Sequence, residues 1–262
     1  MIIQVLASGS KGNVTYIENE GQSILIDAGL SCRETVRRMR AAGREPEKLS
    51  GIFITHDHRD HIAGARVLSR TFGIPVILSE TLYAAAGYPW LKDVHQISLY
   101  TLGNDIHLES MFIRPIPVSH DATETVNVIV SNGQYAAGIF TDLGTVSLPV
   151  STYAADVDLL MVEANHDLEM LQNGRYPLWL QQRIRSNHGH LSNDQCGNLL
   201  VESCRKGRVK KMILAHISEE NNRYDLAYTS VTRYLKKEMI DLPLYIAKQK
   251  DSLEELYLDT TS

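Results

Sequence analysis

Five of the six residues from His56 to His61 carry side chains that bind metal ions: His56, Asp57, His58, Asp60 and His61, with Arg59 among them. Imidazole and carboxylate are the borderline and hard ligands that suit Zn²⁺, Mn²⁺ or Fe. A lone histidine is more often a surface or satisfied core residue, but ligands packed this densely reverse that expectation. The i, i+2 spacing of His56 and His58 lets an extended or turning backbone aim both at one ion. Asp60 and His61 open the next helix and can face a second ion. Asp57 and Arg59 read as spacers or as supports for the ligands. One segment cannot complete two coordination shells, so other strand ends must contribute. Three candidates each follow an apolar run: His120 after residues 111–118, Asp142 after 138–141 and His216 after 213–215. A strand that ends in a ligand delivers it to a sheet edge, and three such strands can deliver theirs to one place.

The elements that must position these residues are read from turn chemistry and periodicity. Strands are predicted over residues 2–7, 14–18 and 23–27, with a tight glycine turn at Ser8-Gly9-Ser10-Lys11-Gly12-Asn13 and a hairpin connection at 19–21. The Ser31/Glu34 spacing predicts a helix start, and Gly43 its end. A strand over 51–55 runs into the histidine cluster, followed by a helix over 61–72 and a strand over 75–78. Further strands are expected over 111–118, 125–130, 134–141, 158–163, 211–215, 244–247 and 256–258. Helices are expected over 192–206 and 225–238. Mixed sheets with helices outside would bury these apolar strands on both faces.

The chain has 262 residues, 44 % apolar and 22 % charged, with a net charge of −5. This is the composition of an ordinary globular protein, read as one domain over residues 1–262. No apolar run approaches the ~18–20 residues needed to span a bilayer, and the N-terminus reads as a first strand rather than a signal peptide. Cys32, Cys196 and Cys204 are odd in number and lack CxxC spacing, which fits free thiols in a reducing cytoplasm. The acidic balance argues against bulk electrostatic coating of nucleic acid. Two local clusters, Arg33/Arg37/Arg38/Arg40/Arg44 and Lys206/Arg208/Lys210/Lys211, are either basic patches or solvated helix faces.

The ordered set His-x-His-x-Asp-His, then a lone His, a lone Asp and a late His, resembles the metallo-β-lactamase superfamily from Ile26-Asp27-Ala28-Gly29 to His216. The resemblance implies an α/β fold, a four-layer αββα sandwich, with the metals at one edge of the two sheets. It implies two divalent ions, Zn or Mn. His56, His58 and His120 would hold the first and Asp60, His61 and His216 the second, with Asp142 bridging. Asp27 resembles a structural support. Asp142, where lactamases place Cys or His, resembles the glyoxalase and phosphodiesterase branches. His58, where flavodiiron proteins carry Glu, argues against redox chemistry. Gly189-His190-Leu191-Ser192 and Leu214-Ala215-His216-Ile217-Ser218 resemble segments of RNase Z and related cyclic phosphodiesterases. By that resemblance His190 is catalytic near the leaving group, together with Asp60 at the metals, and Ser192 caps a helix.

Residues 7–13, 25–29, 163–167 and 187–193 are similar to the bacterial YycJ/WalJ-type branch, linked to 5′→3′ exonuclease activity on DNA. The implied reaction is phosphodiester hydrolysis by a water that two cations share and acidify. The expected substrate contacts are Ser8, Ser10 and Asn13 with the glycine-turn amides as an anion nest, and His166 and His188 lining the cleft. Lys11 stands where Ser is common in the branch and could touch a phosphate. The chain lacks the inserted domain of larger nucleases of this type, so its grip on DNA ends must come from its own loops or from a homo-oligomer. The alternatives are a small-molecule hydrolase (a cyclic phosphodiesterase or a glyoxalase-like thioesterase) and a non-catalytic binding module. The last conflicts with the full ligand set.

Overall fold

The computed structural model describes residues 1–85 and 89–259, and only the backbone at Lys206. The first half of the chain runs β1 (Ile2–Ala7), β2 (Val14–Asn19), β3 (Gln22–Ile26), α1 (Cys32–Ala41), β4 (Leu49–Phe53), α2 (Arg59–Ile62), α3 (Ala65–Phe72), β5 (Pro75–Ser79), α4 (Glu80–Ala84) and β6 (Gln96–Tyr100). The second half runs β7 (Ile106–His107), β8 (Phe112–Pro117), β9 (Val126–Ser131), β10 (Ala136–Phe140), α5 (Leu148–Ala155), β11 (Leu159–Glu163), α6 (Leu168–Asn173), α7 (Leu178–Arg185), α8 (Asn193–Lys206), β12 (Lys211–Ala215), α9 (Tyr224–Lys237), β13 (Leu244–Ile246) and β14 (Leu256–Tyr257).

The strands form two mixed seven-stranded sheets, ordered β14-β1-β2-β3-β4-β5-β6 and β13-β12-β11-β10-β9-β8-β7. Their inner faces meet in one apolar layer, where Ile3, Ile24, Ile26 and Phe53 of the first sheet share a cluster with Val128, Ile139, Met161 and Ile213 of the second. The outer face of the first sheet packs Leu25, Ile52 and Val76 against Met39 of α1 and Leu68 of α3. The outer face of the second packs Leu160, Val162 and Leu214 against residues of α5, α8 and α9. This is the expected αββα sandwich. It explains why β10 and β11 are buried at every position: a strand covered on both faces has no solvent side to make polar. The chain's last strand returns to pair antiparallel with β1.

Local signals were good guides where they were strong. Ser31 caps α1 through the Glu34 N–H, and Ser192 caps α8 in a reciprocal box with Gln195. The helix expected over 61–72 is instead two, α2 and α3, broken around Ala63 and Gly64. The Gly64 N–H donates to Ala28 O at 2.8 Å, and a Cβ on Gly64 would lie 2.1 Å from Leu30 O. The chain bends there to dock on the segment after β3. Four of the five arginines of the first cluster are paired: Arg38 is buried against Leu6 O and Gln249 O, Arg37 and Arg38 pair with Glu34, Arg40 with Glu47, and Arg44 with Glu18 and Glu255. Arg208 likewise pairs with Asp158 and Asp156. No described helix is long and apolar enough to cross a membrane.

Candidate metal centre

The strand ends converge. Asp27, Asp142 and His216 follow β3, β10 and β12, and all three adopt positive φ (61°, 54° and 48°). Non-glycine residues pay a steric cost there. In return the chain turns sharply at the sheet edge, and these side chains face the same spot as the His56–His61 loop.

Three ligand groups overlap at that spot. His56, His58 and His120 offer one atom each within 4.8 Å of one another; so do Asp60, His61 and His216; and so do His56, His61 and Asp142. His56 and His61 each belong to two of these groups, and Asp142 completes the one that holds both. The Asp142 carboxylate lies 3.2 Å from His61 Nε2, 3.7 Å from His120 Nε2 and 3.7 Å from His216 Nε2. Four buried atoms here have no hydrogen-bond partner: His56 Nε2, His120 Nε2, His216 Nε2 and Asp142 Oδ2. An unpaired buried polar atom is costly. Four aimed at one place fit divalent cations, and the donor set suits them chemically.

The opposite ring nitrogens are fixed from behind. His61 Nδ1 lies 2.7 Å from Asp27 Oδ2, and the Thr55 hydroxyl contacts both Asp27 and His56 Nδ1. His120 Nδ1 lies 3.1 Å from Gly189 O. His216 Nδ1 lies 3.3 Å from Glu163 Oε2. Such contacts set the ring orientation and tautomer and raise ligand basicity. Burial pushes His56 and His120 below the ordinary imidazole range, so both rest in the neutral form that binds metal. His61 moves the other way. Burial opposes its charge, but Asp27 and Asp142 hold its proton well above the usual range.

Glu163 was missed as a functional residue. Fully buried at the end of β11, it accepts from the backbone N–H groups of Asp142, Leu143 and Leu191, and lies 3.1 Å from His190 Nδ1. Burial works against its charge, yet His190 and His216 bring its carboxyl down to about 2. The signal was present: β11 is an apolar strand that ends in an acid, as β10 and β12 end next to ligands. Asp121 was also unassigned. Its Oδ1 lies 3.3 Å from His120 Nε2 and 3.9 Å from His58 Nε2, and its other oxygen is held by Arg183.

His190 stands at the mouth of the cluster, partly exposed, its ring centroid 5.1 Å from those of His120 and His216. The expected substrate contacts divide. Ser10 is exposed and lines the adjoining cleft, and His188 is exposed on the rim, 2.9 Å from Ser119 Oγ. Ser8, Asn13 and His166 do not reach the surface. Ser8 is buried and its hydroxyl accepts from His216 N at 2.8 Å. Asn13 donates to Asp60 Oδ2 at 3.1 Å and lies 3.0 Å from His61 Nε2. His166 is 1 % exposed behind β11. Ser8 and Asn13 thus contact His216, Asp60 and His61 of the candidate ligand set. Lys11 is exposed and paired with Glu219.

A metallo-beta-lactamase superfamily model matches residues 7–141. Exodeoxyribonuclease WalJ of Streptococcus pneumoniae is 35 % identical over 234 residues, which is 88 % of this chain and 87 % of that protein. Exodeoxyribonuclease YycJ of Bacillus anthracis is 33 % identical over 236 residues, 89 % of each. Among solved structures, the metallo-beta-lactamase fold protein YhfI from Bacillus subtilis superimposes with a TM-score of 0.73 at 16 % identity, over 97 % of this chain and 99 % of that one. That likeness speaks for the fold alone.

Proposed function

This chain belongs to the metallo-β-lactamase superfamily, and we propose that it is an exonuclease that hydrolyses phosphodiester bonds at DNA ends with two divalent ions, Zn or Mn. It is a metal-dependent hydrolase by family. The nuclease reading is supported by the two curated relatives, which are named exodeoxyribonucleases and cover nearly the whole chain. The observation that carries the two-ion reading is Asp142, whose carboxylate lies between the His56/His58/His120 group and the Asp60/His61/His216 group.

His56, His58 and His120 would hold one ion and Asp60, His61 and His216 the other, with Asp142 common to both. When bound, such ions acidify water and neutralise charge on the non-bridging phosphate oxygens. The chain does the rest. Glu163 holds His190 through Nδ1, which leaves Nε2 to carry the proton that the leaving oxygen needs. General acid help of this kind contributes ~10²–10⁴-fold. Asp27, Thr55 and the Gly189 carbonyl keep the other imidazoles in register. Free thiols at Cys32, Cys196 and Cys204 support a reducing compartment, the cytoplasm.

The test is a panel of labelled 5′-phosphorylated single strands and duplexes, given to metal-defined protein in Mn²⁺ and Zn²⁺ in parallel. Release of nucleotides from an end is the expected result. Intact oligonucleotides alongside cleavage of a small thioester or a cyclic phosphodiester would overturn it.

A further inference from the structure

The stretch between Met170 and Asn193 contains no Asp or Glu, although the chain as a whole carries −5; within it lie Arg175, Arg183 and Arg185. Its centre is α7. This helix buries none of its residues, and at its start Leu178 is 75 % and Trp179 64 % exposed. An amphipathic helix of a folded domain ordinarily hides its apolar stripe, and large exposed aromatics next to cations mark a binding surface. Arg183 is four residues after Trp179, so the two side chains lie on the same helix face, one turn apart. Arg183 also reaches the metal edge, where it pairs with Asp121.

α7 is not a detached arm. Tyr176, Leu180, Arg183 and Ile184 form one wall of a cleft of about 280 Å³, and His190 and Asp121 lie on the other. That volume lies just below the ~300–1,000 Å³ of small-ligand sites and is too small for a duplex. The helix is fastened at its C-terminal end to the catalytic loop: the His190 N–H donates to Ile184 O at 2.9 Å.

We propose that α7 is the strand-binding element: Trp179 stacks on a base of the polynucleotide strand entering the cleft, while Arg183, on the same helix face, contacts its phosphate. The charge of the segment matches a polyanion, and the route leads from Trp179 along one helix face to His190. Arg183 exchanges its Asp121 partner for a phosphate when the strand is present. This inference rests on the reading of the chain as a polynucleotide phosphodiesterase.

The experiment is binding of a short 5′-phosphorylated phosphorothioate oligonucleotide to full-length, metal-loaded protein, with turnover of the ordinary oligonucleotide measured beside it. Trp179→Ala should raise the Kd and the KM by about 10-fold or more, because one stacked base contributes that order of affinity. Trp179→Phe, which keeps an aromatic face, should restore most of it. Quenching of tryptophan fluorescence on binding should disappear in both variants, since Trp90 is the chain's other tryptophan. Replacing Arg183 by Gln should flatten the slope of log K against log salt by ~0.7, the share of one single-strand phosphate contact. If Trp179→Ala binds and turns over oligonucleotide as the wild type does, the inference fails while the nuclease reading stands. If the wild type itself cleaves no oligonucleotide, the nuclease reading fails first. If Trp179→Ala instead converts a dimer to a monomer in sedimentation with oligonucleotide affinity unchanged, the exposed face belongs to a second copy of the chain and the inference is overturned.

Discussion

At the scale of single residues, His56, His120 and His216 are each held at Nδ1 and open at Nε2. Glu163 does most of this holding on the second sheet, because one carboxylate touches His190, His216 and three backbone N–H groups. Glu163→Gln keeps the volume but loses the charge that orients both rings. We expect metal affinity or turnover to fall ~10–100-fold, the usual cost of removing such a support; metal titration with steady-state kinetics checks it, and wild-type values for both would refute the role. His166 makes a different prediction. Burial drives its imidazole down to about 4, and its Nδ1 has no hydrogen-bond partner. The folded chain therefore keeps His166 neutral where the unfolded chain protonates it. Stability from this group is complete above about pH 6.5 and declines as the pH falls toward 4, by on the order of 3 kcal/mol in total. Denaturant unfolding across that window should show a shallower acid loss for His166→Asn than for wild type. Equal slopes would mean that His166 is not the group responsible.

At the scale of elements, the loop between α7 and α8 ties the rim to the metals. Gly189 O orients His120, and the neighbouring His190 leans on Glu163. A Cβ at Gly189 would lie 2.1 Å from Ile184 O and 2.4 Å from Arg183 O, so the end of α7 must shift to admit it. Gly189→Ala should cost ~1–3 kcal/mol, the usual penalty of overpacking, and lower activity more than thermal stability alone explains. A variant with wild-type melting and turnover would show that the close approach is unimportant. The unassigned elements, α4 to α7 with β6 and β7, share a reason for escaping notice. α5 (LPVSTYAA) is apolar on several sides and shows no helical stripe, α7 buries nothing, and β6 is a half-exposed edge strand. Periodicity is visible only where apolar and polar residues alternate with burial, and these segments show no such alternation.

At the scale of the molecule, the candidate ligands come from both sheets, so the proposed metal centre would bridge the two halves of the sandwich. His56, His58, Asp60 and His61 follow β4, while His120, Asp142 and His216 follow strands of the second sheet. A ligand that binds only the folded chain stabilises it by mass action, about 4 kcal/mol at a thousandfold excess over Kd. Chelator-stripped protein should therefore melt lower than metal-loaded protein by on the order of 10 °C for a chain of this size. Asp142→Ala should lose most of that difference in a thermal scan with and without Mn²⁺ or Zn²⁺. An undiminished shift in Asp142→Ala would remove Asp142 from the ligand set.

The amino-acid sequence by itself determined the candidate ligand types and the places that present them. His56–His61 is a local cluster, and His120, Asp142 and His216 sit next to apolar strands whose burial is written in consecutive residues. The caps at Ser31 and Ser192 are equally local. Only the tertiary structure decided what each of these groups touches. Ser8 and Asn13, expected at the phosphate, are buried behind His216 and His61. Of the arginine cluster that could have formed a basic patch, Arg37, Arg38, Arg40 and Arg44 are paired with acids, Arg44 with one as distant as Glu255. Glu163, one more strand-end acid in the sequence, lies under both His190 and His216. The physical reason is the same in each case. Periodicity and turn chemistry act between neighbours in the chain, whereas hydrogen bonds and ion pairs at a sheet edge join residues that the packing of two sheets brings together from tens to hundreds of positions apart.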